Sequence, residues 1–167
     1  DYKNFRKLEN AALCKELGYD VGIFFVLDDP VALELLIESG ECSEDLKADL
    51  SVLTKRPLVI RTDGKSIPVE KNQMLPRSDE LRSQEAAQSY LISTFTEKIK
   101  AVGLEKTGLC LIAHHFIPAI SSAWCKAHPD QRRVRIESLW GIPEGLYWYA
   151  HDVFDVDTSV SKLTPDQ

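Results

Sequence analysis

The spacing of apolar residues changes character along the chain, and that change limits the available folds more than any other feature. Helical periodicities alternate with short apolar runs up to about residue 102, and strand-like runs separated by turn residues dominate afterwards. Residues 4–17 place Phe5, Leu8, Ala12 and Leu13 or Leu17 at helical intervals, with Gly18 as a C-terminal stop. Residues 21–27 read as a buried strand. Asp28 or Asp29 can cap a following helix with Pro30 in its first turn. That helix is expected to turn Val31, Leu33, Leu35 and Leu36 inward and to stop near Gly40. A helix over 43–53, a strand over 57–61 and a turn at Thr62-Asp63-Gly64-Lys65 are expected next. Residues 65–78 contain Pro68 and Pro76, lack periodicity, and read as a mobile loop. Residues 79–102 form the longest helical segment, with Ala86, Ala87, Tyr90, Leu91, Thr94, Phe95 and Ile99 along one stripe. Strands are expected over 108–117, 134–139, 146–149 and 153–156. Mixing early and strands late predicts an α+β fold rather than a wound parallel sheet.

The 167 residues suit one domain or two small lobes, and 44% apolar content can supply a core. The charged and aromatic fractions, 28% and 8%, exclude a disordered tail, a collagen and a coiled-coil rod. No apolar run approaches a membrane span, and the N-terminus has no apolar signal core. A net charge of -6 argues against nucleic-acid and anionic-membrane partners. The four cysteines lie far apart and fit a reducing, cytoplasmic setting better than a disulfide framework. A chain that begins at Asp1 rather than Met is expected to be part of a longer polypeptide. No Walker loop, dinucleotide fingerprint or nucleophile elbow is present, so any phosphate site must be built from side chains and single turns.

Arg61 is one such side chain. It ends an apolar strand beside a small polar turn, where a fixed guanidinium can grip phosphate oxygens and the turn can offer N–H groups. The plainer reading is a strand-end arginine paired with a surface carboxylate, and Lys7 by itself reads as a solvated helix charge. Cys110, His114, His115, Cys125 and His128 contain a zinc-like spacing between Cys125 and His128 but no recognised finger pattern, so core cysteines and edge histidines are the simpler assignment. Glu137 and Glu144 could hold a cation or a ribose hydroxyl, or be a satisfied polar group and an exposed turn carboxylate. Trp140, Tyr147, Trp148 and Tyr149 read as packing residues before they read as a stacking platform.

Beyond these pieces lies a resemblance. Ile136-Glu137-Ser138-Leu139-Trp140-Gly141-Ile142-Pro143-Glu144-Gly145-Leu146 resembles the segment IEAxWGLGEGL of the nucleotide-binding domain shared by phosphoenolpyruvate synthases and pyruvate phosphate dikinases. Upstream, Ile117-Pro118-Ala119-Ile120-Ser121-Ser122-Ala123-Trp124-Cys125-Lys126-Ala127-His128-Pro129 is similar to VxAxxSGVxFTxxP. His151-Asp152-Val153-Phe154-Asp155-Val156-Asp157 looks like PDxYxVD, and Leu58-Val59-Ile60-Arg61-Thr62-Asp63-Gly64 stands where the family has xAVRSSA. Lys7-Leu8-Glu9-Asn10-Ala11-Ala12, followed by Gly18-Tyr19-Asp20-Val21-Gly22-Ile23-Phe24, parallels KGxNLAxL and GxPVPxGF. The order is kept over nearly the whole chain.

The resemblance implies an ATP-grasp-like α+β fold, incomplete at its C-terminus, in which two small lobes with mostly antiparallel sheets clamp ATP. It implies lobes over 1–64 and 79–167 joined by a loop over 65–78. Arg61 is then the phosphate-contacting arginine and Lys7 the lysine of the N-terminal lobe. In that reading Arg61 binds ATP with Lys7 or Lys65 as helper charges, Thr62 joins the nucleotide-binding set, and the turn around Glu144 lies near the nucleotide. The phosphoryl group would pass from ATP to a histidine on a carrier domain of the same polypeptide, with Mg²⁺ held by residues beyond Gln167. The fragment itself is expected to catalyse little. The sequence departs from the family at Asp63, which brings a negative charge to the phosphate region, and at Pro143, which removes an N–H. A bulkier 67–74 segment replaces the family's small flexible loop. Those departures favour an alternative, a degenerate domain that uses the same fold for interaction or regulation. A zinc module is the third reading.

Overall fold

The computed structural model describes residues 4–65, 67–103, 108–128 and 131–159. The chain divides into two compact units, Asp1–Phe116 and Ile117–Gln167. The mixed α+β expectation holds, with one antiparallel three-stranded sheet in each unit. No helix among the described residues is long and apolar enough to cross a membrane.

In the first unit β1 (Phe25–Leu27) and β2 (Leu58–Gly64) flank β3 (Leu109–His115), both antiparallel to it. Side chains alternate across this sheet. Leu58, Ile60, Leu109 and Leu111 face one layer of helices: α2 (Pro30–Ser39), α3 (Glu44–Leu53), and α5 (Gln84–Tyr90) continuing through a π turn (Leu91–Phe95) into α6 (Thr96–Val102). Leu33, Leu36, Leu50, Leu91, Phe95 and Ile99 close that core. On the other face α1 (Arg6–Glu16) seats Phe5 and Leu8 against Cys110 and Ile112. Asp29 caps α2 by accepting from the Val31 N–H, and Ser43 and Ser83 cap α3 and α5 in the same way.

Several expectations need correction. The strand expected over 21–27 is confined to Phe25–Leu27, since β3 pairs with only those residues, and Ile23 is 78% exposed. In α2 the buried set is Ala32, Leu33, Leu36 and Ile37, while Val31 and Leu35 lie on the solvent side of the same helical stripe. The expected turn at 62–64 is strand, because Thr62, Asp63 and Gly64 pair with Leu111, Cys110 and Leu109. The segment over 65–78, whose Ser66 lies outside the described residues, is not a free loop. It forms α4 (Val69–Gln73) and then lies along the open edge of β2 with Leu75, Pro76 and Ser78 buried. There the Ser78 N–H donates to the Ile60 carbonyl at 2.8 Å, and the Ser78 hydroxyl accepts from the Ile60 N–H at 2.8 Å.

The long helix starts at Gln84 rather than 79, because Leu81 exchanges both backbone hydrogen bonds with Leu58. Its π turn shifts the apolar stripe, so that Thr96 is buried and Thr94 only half-buried. This helix and β3 belong to the first unit, so the unit boundary falls after Phe116 and not at 65–78.

The second unit is a sheet in the order β4 (Ser121–His128), β5 (Gln131–Trp140), β6 (Asp152–Asp157), all antiparallel. Residues 121–128 form a strand that local preference does not announce, because Ser, Ala and Lys there carry little β signal. Residues 146–149 form a helical turn, α7 (Gly145–Trp148), rather than a strand. Gly145 sits so tightly that a Cβ would come within 2.9 Å of a Leu139 methyl. Trp140, Tyr147, Trp148 and Tyr149 are 73–83% exposed, contrary to the packing role expected of them.

Candidate functional site

The α1 side of the first sheet gathers five of the residues singled out in the sequence, Lys7, Arg61, Asp63, Cys110 and His114. By strand parity Val59, Arg61 and Asp63 of β2 share that face with Cys110, Ile112 and His114 of β3. Asp63 lies opposite Cys110, Arg61 opposite Ile112, and Val59 opposite His114. Phe5 and Leu8 cover the Cys110–Ile112 part of the face.

Helix α1 has no cap from its own sequence, since its N-cap residue is Phe5. Asp63 supplies one. Its fully buried carboxylate accepts from the Lys7 backbone N–H at 2.6 Å, from the Gly64 N–H at 2.9 Å and from the Asn72 amide at 3.4 Å. A carboxylate at a helix N-terminus also meets the positive end of the helix dipole. The Lys7 ammonium donates to the Thr62 carbonyl at 2.5 Å and to Asn72 Oδ1 at 3.2 Å, and lies 4.0 Å from Asp63 Oδ1. Burial lowers the Lys7 pKa; Asp63 opposes the shift and Arg61 adds to it.

Arg61 is different. Its side chain is exposed, and among the described residues no carboxylate pairs with it. It stands opposite Arg77 in an isolated antiparallel bridge, which puts two guanidinium-bearing residues side by side on one face. Its charge acts on both Lys7 and His114. His114 is held below its usual pKa chiefly by burial, with Arg61 and His115 adding to the effect and a hydrogen bond at His115 opposing it. Its Nδ1 lies 3.0 Å from the His115 carbonyl, which can only accept, so the proton of the neutral ring sits on Nδ1 and Nε2 is left as an acceptor. The Phe24 ring meets the imidazole edge-on at 5.9 Å.

The other expected site residues are placed as follows. Thr62 is buried on the opposite face with its hydroxyl donating to the Pro76 carbonyl at 2.9 Å, so only its backbone reaches Lys7. Lys65 lies 5.0 Å over the Phe5 ring, where its ammonium makes a cation–π contact. The Gly64 N–H, expected to face a ligand, is taken by Asp63. Glu144 precedes α7 in the second unit, half-buried. There Glu137 accepts from Arg135 at 3.0 Å and lies 3.5 Å from the His151 ring.

Among the described residues no three His, Cys, Asp or Glu side chains are grouped to hold a metal ion. Cys110 is buried under α1 and Cys125 is exposed on β4; the His128 side chain lies outside the described residues. Sequence reasoning missed Asn72, Arg77 and the company of His114 and Arg61. Reading 62–64 as strand would have exposed the signal, because parity alone then places Arg61 and Asp63 on one face.

No protein-family model matches the chain, and no curated protein matches it.

Proposed function

We propose that the chain is a nucleotide-binding domain of the ATP-grasp type, akin to that of phosphoenolpyruvate synthases and pyruvate phosphate dikinases, and that Arg61 is its principal phosphate contact. One observation carries the reading. Lys7 and Arg61, two of the residues implicated by the motif resemblance, lie on one sheet face near enough for the Arg61 charge to act on Lys7, whose ammonium reaches the carbonyl of Thr62, 55 positions away and next to Arg61. A guanidinium on a strand presents its donors in a fixed fork, and an unpaired one is ready for phosphate oxygens. Lys7 and Arg77 would add long-range attraction. Catalysis in such a domain is mostly positioning and charge neutralisation, with the phosphoryl group leaving for a histidine on a separate carrier domain.

A second reading, a degenerate domain kept for interaction, is favoured by the way Asp63, Asn72 and the Thr62 carbonyl already engage Lys7. Titration calorimetry with ATP–Mg²⁺ separates the two. Saturable binding that Arg61→Ala weakens by about tenfold or more supports nucleotide binding; absence of heat at millimolar nucleotide supports the second reading.

A further inference from the structure

We propose that the cleft between β1 and α3 is a binding site for a small primary ammonium with a short branched aliphatic body, its apolar end in the cleft and its charge at Asp49. The site lies on the helix-covered face of the first sheet, opposite the face of Arg61, and is independent of the nucleotide reading.

Phe25 and Leu27 lie opposite Ala113 and Leu111 of β3, so their side chains share the sheet face that carries Ile60. Leu46, Leu50 and Leu53 of α3 supply the facing wall at positions i, i+4 and i+7. The space between them is about 80 Å³, and Phe25 in its wall is 41% exposed. Among the described residues every wall residue is apolar except Asp49. Water finds too few hydrogen-bond partners in such a space, so an apolar group is the better occupant. An apolar cavity of about 150 Å³ takes a benzene ring, which leaves room here for roughly three to five carbon atoms. His115 ties the walls together: its ring meets Phe25 edge-on at 6.1 Å, and its Nε2 lies 3.2 Å from the Leu53 carbonyl.

Charge selects the polar end of the ligand. Asp49 follows Leu46 by three positions and precedes Leu53 by four, so it borders the apolar stripe of α3. It is exposed, and among the described residues it has no hydrogen-bond or ion-pair partner. Lys47, the basic residue of α3, is engaged by Glu44 at 2.7 Å and does not neutralise it. A molecule whose apolar end fills the cleft therefore meets a carboxylate at its other end. A cation complements that carboxylate, and an anion of the same shape is repelled.

Amide-resolved NMR titration of the full chain near neutral pH tests this with three probes of one shape: isoamylamine, isoamyl alcohol and isovalerate. The amine is expected to bind saturably at about millimolar concentration, with shifts centred on Phe25, Leu50 and Ala113. The alcohol should bind about threefold more weakly, as befits an exposed ion pair, and isovalerate more weakly still. Asp49→Asn, on an exposed helix position, should remove the difference between amine and alcohol. Ala113→Leu fills the cleft and should abolish binding of both; Ala113→Val, which should weaken it, serves if the larger side chain prevents folding, and the three probes on wild type and Asp49→Asn decide if neither folds. Four results would each overturn the proposal: no saturable binding of the amine, isovalerate binding as tightly as the amine, an amine preference that persists in Asp49→Asn, or unchanged binding in a folded Ala113 variant. None of them bears on Arg61, so nucleotide binding stands or falls on its own titration.

Discussion

The carboxylate of Asp63 on β2 accepts a 2.6 Å hydrogen bond from the backbone N–H of Lys7, 56 positions away in the chain. A strand thus caps the first helix, and the cap ties α1 to the sheet. Asp63→Ala leaves the Lys7 and Gly64 N–H groups without their acceptor and should destabilise the fold by about 2–3 kcal/mol. Denaturant unfolding measures it, and a change within about 0.5 kcal/mol would mean the cap does not matter.

Much of the fold is legible in the sequence because helix signals are local. Asp29-Pro30 and Ser43 each mark the start of a helix, and the structure uses each as a cap. The partners of Arg61 and Lys7 are not legible, because they depend on strand pairing and on a short helix at Val69–Gln73 that brings in Asn72. Pro68 and Pro76 make that segment read as a loop; tertiary packing of Leu75 and Ser78 overrides the local signal. In the second unit β5 and β6 announce themselves by their branched and aromatic residues, whereas the small residues of β4 give no propensity to read.

The same face predicts thiol behaviour. Burial, with Asp63 and Asp28 nearby, pushes the Cys110 thiol up to about 12, and Cys42 is buried and also raised. Cys14 and Cys125 are exposed. A thiolate-specific reagent should modify Cys14 and Cys125 in the native protein and reach Cys42 and Cys110 only on unfolding. Peptide mapping of the labelled protein checks this; early labelling of Cys110 would mean that α1 does not cover the sheet.

Stability should fall on mild acidification through His114. Its folded pKa lies below the ordinary value of 6.5 because burial disfavours the charged ring, and Arg61 adds to that. Protonation therefore favours the unfolded chain. The stabilisation is complete above about pH 6.5 and declines as pH drops from there toward the depressed folded value. His114→Gln should flatten that part of the curve. An unchanged slope between wild type and variant would place the effect elsewhere.

The π turn has a partner that holds it. The Thr96 hydroxyl bonds to the Leu91 carbonyl at 2.9 Å and the Leu36 carbonyl at 3.3 Å, linking the helix to α2. Thr96→Val should cost about 1 kcal/mol in denaturant unfolding, and Thr96→Ser should cost less because the hydroxyl remains. Equal losses in the two variants would assign the effect to packing instead.

Thermal unfolding with and without ATP–Mg²⁺, in wild type and in Arg61→Ala, tests the central claim most directly. Arg61 is exposed and makes no ion pair among the described residues, so its removal should leave the melting temperature of the free protein nearly unchanged. In wild type, nucleotide at about one hundred times its Kd should add about 2.7 kcal/mol and raise the melting temperature, and in Arg61→Ala the rise should vanish. A wild-type protein that does not respond to millimolar nucleotide, or an Arg61→Ala protein that responds just as well, would contradict it.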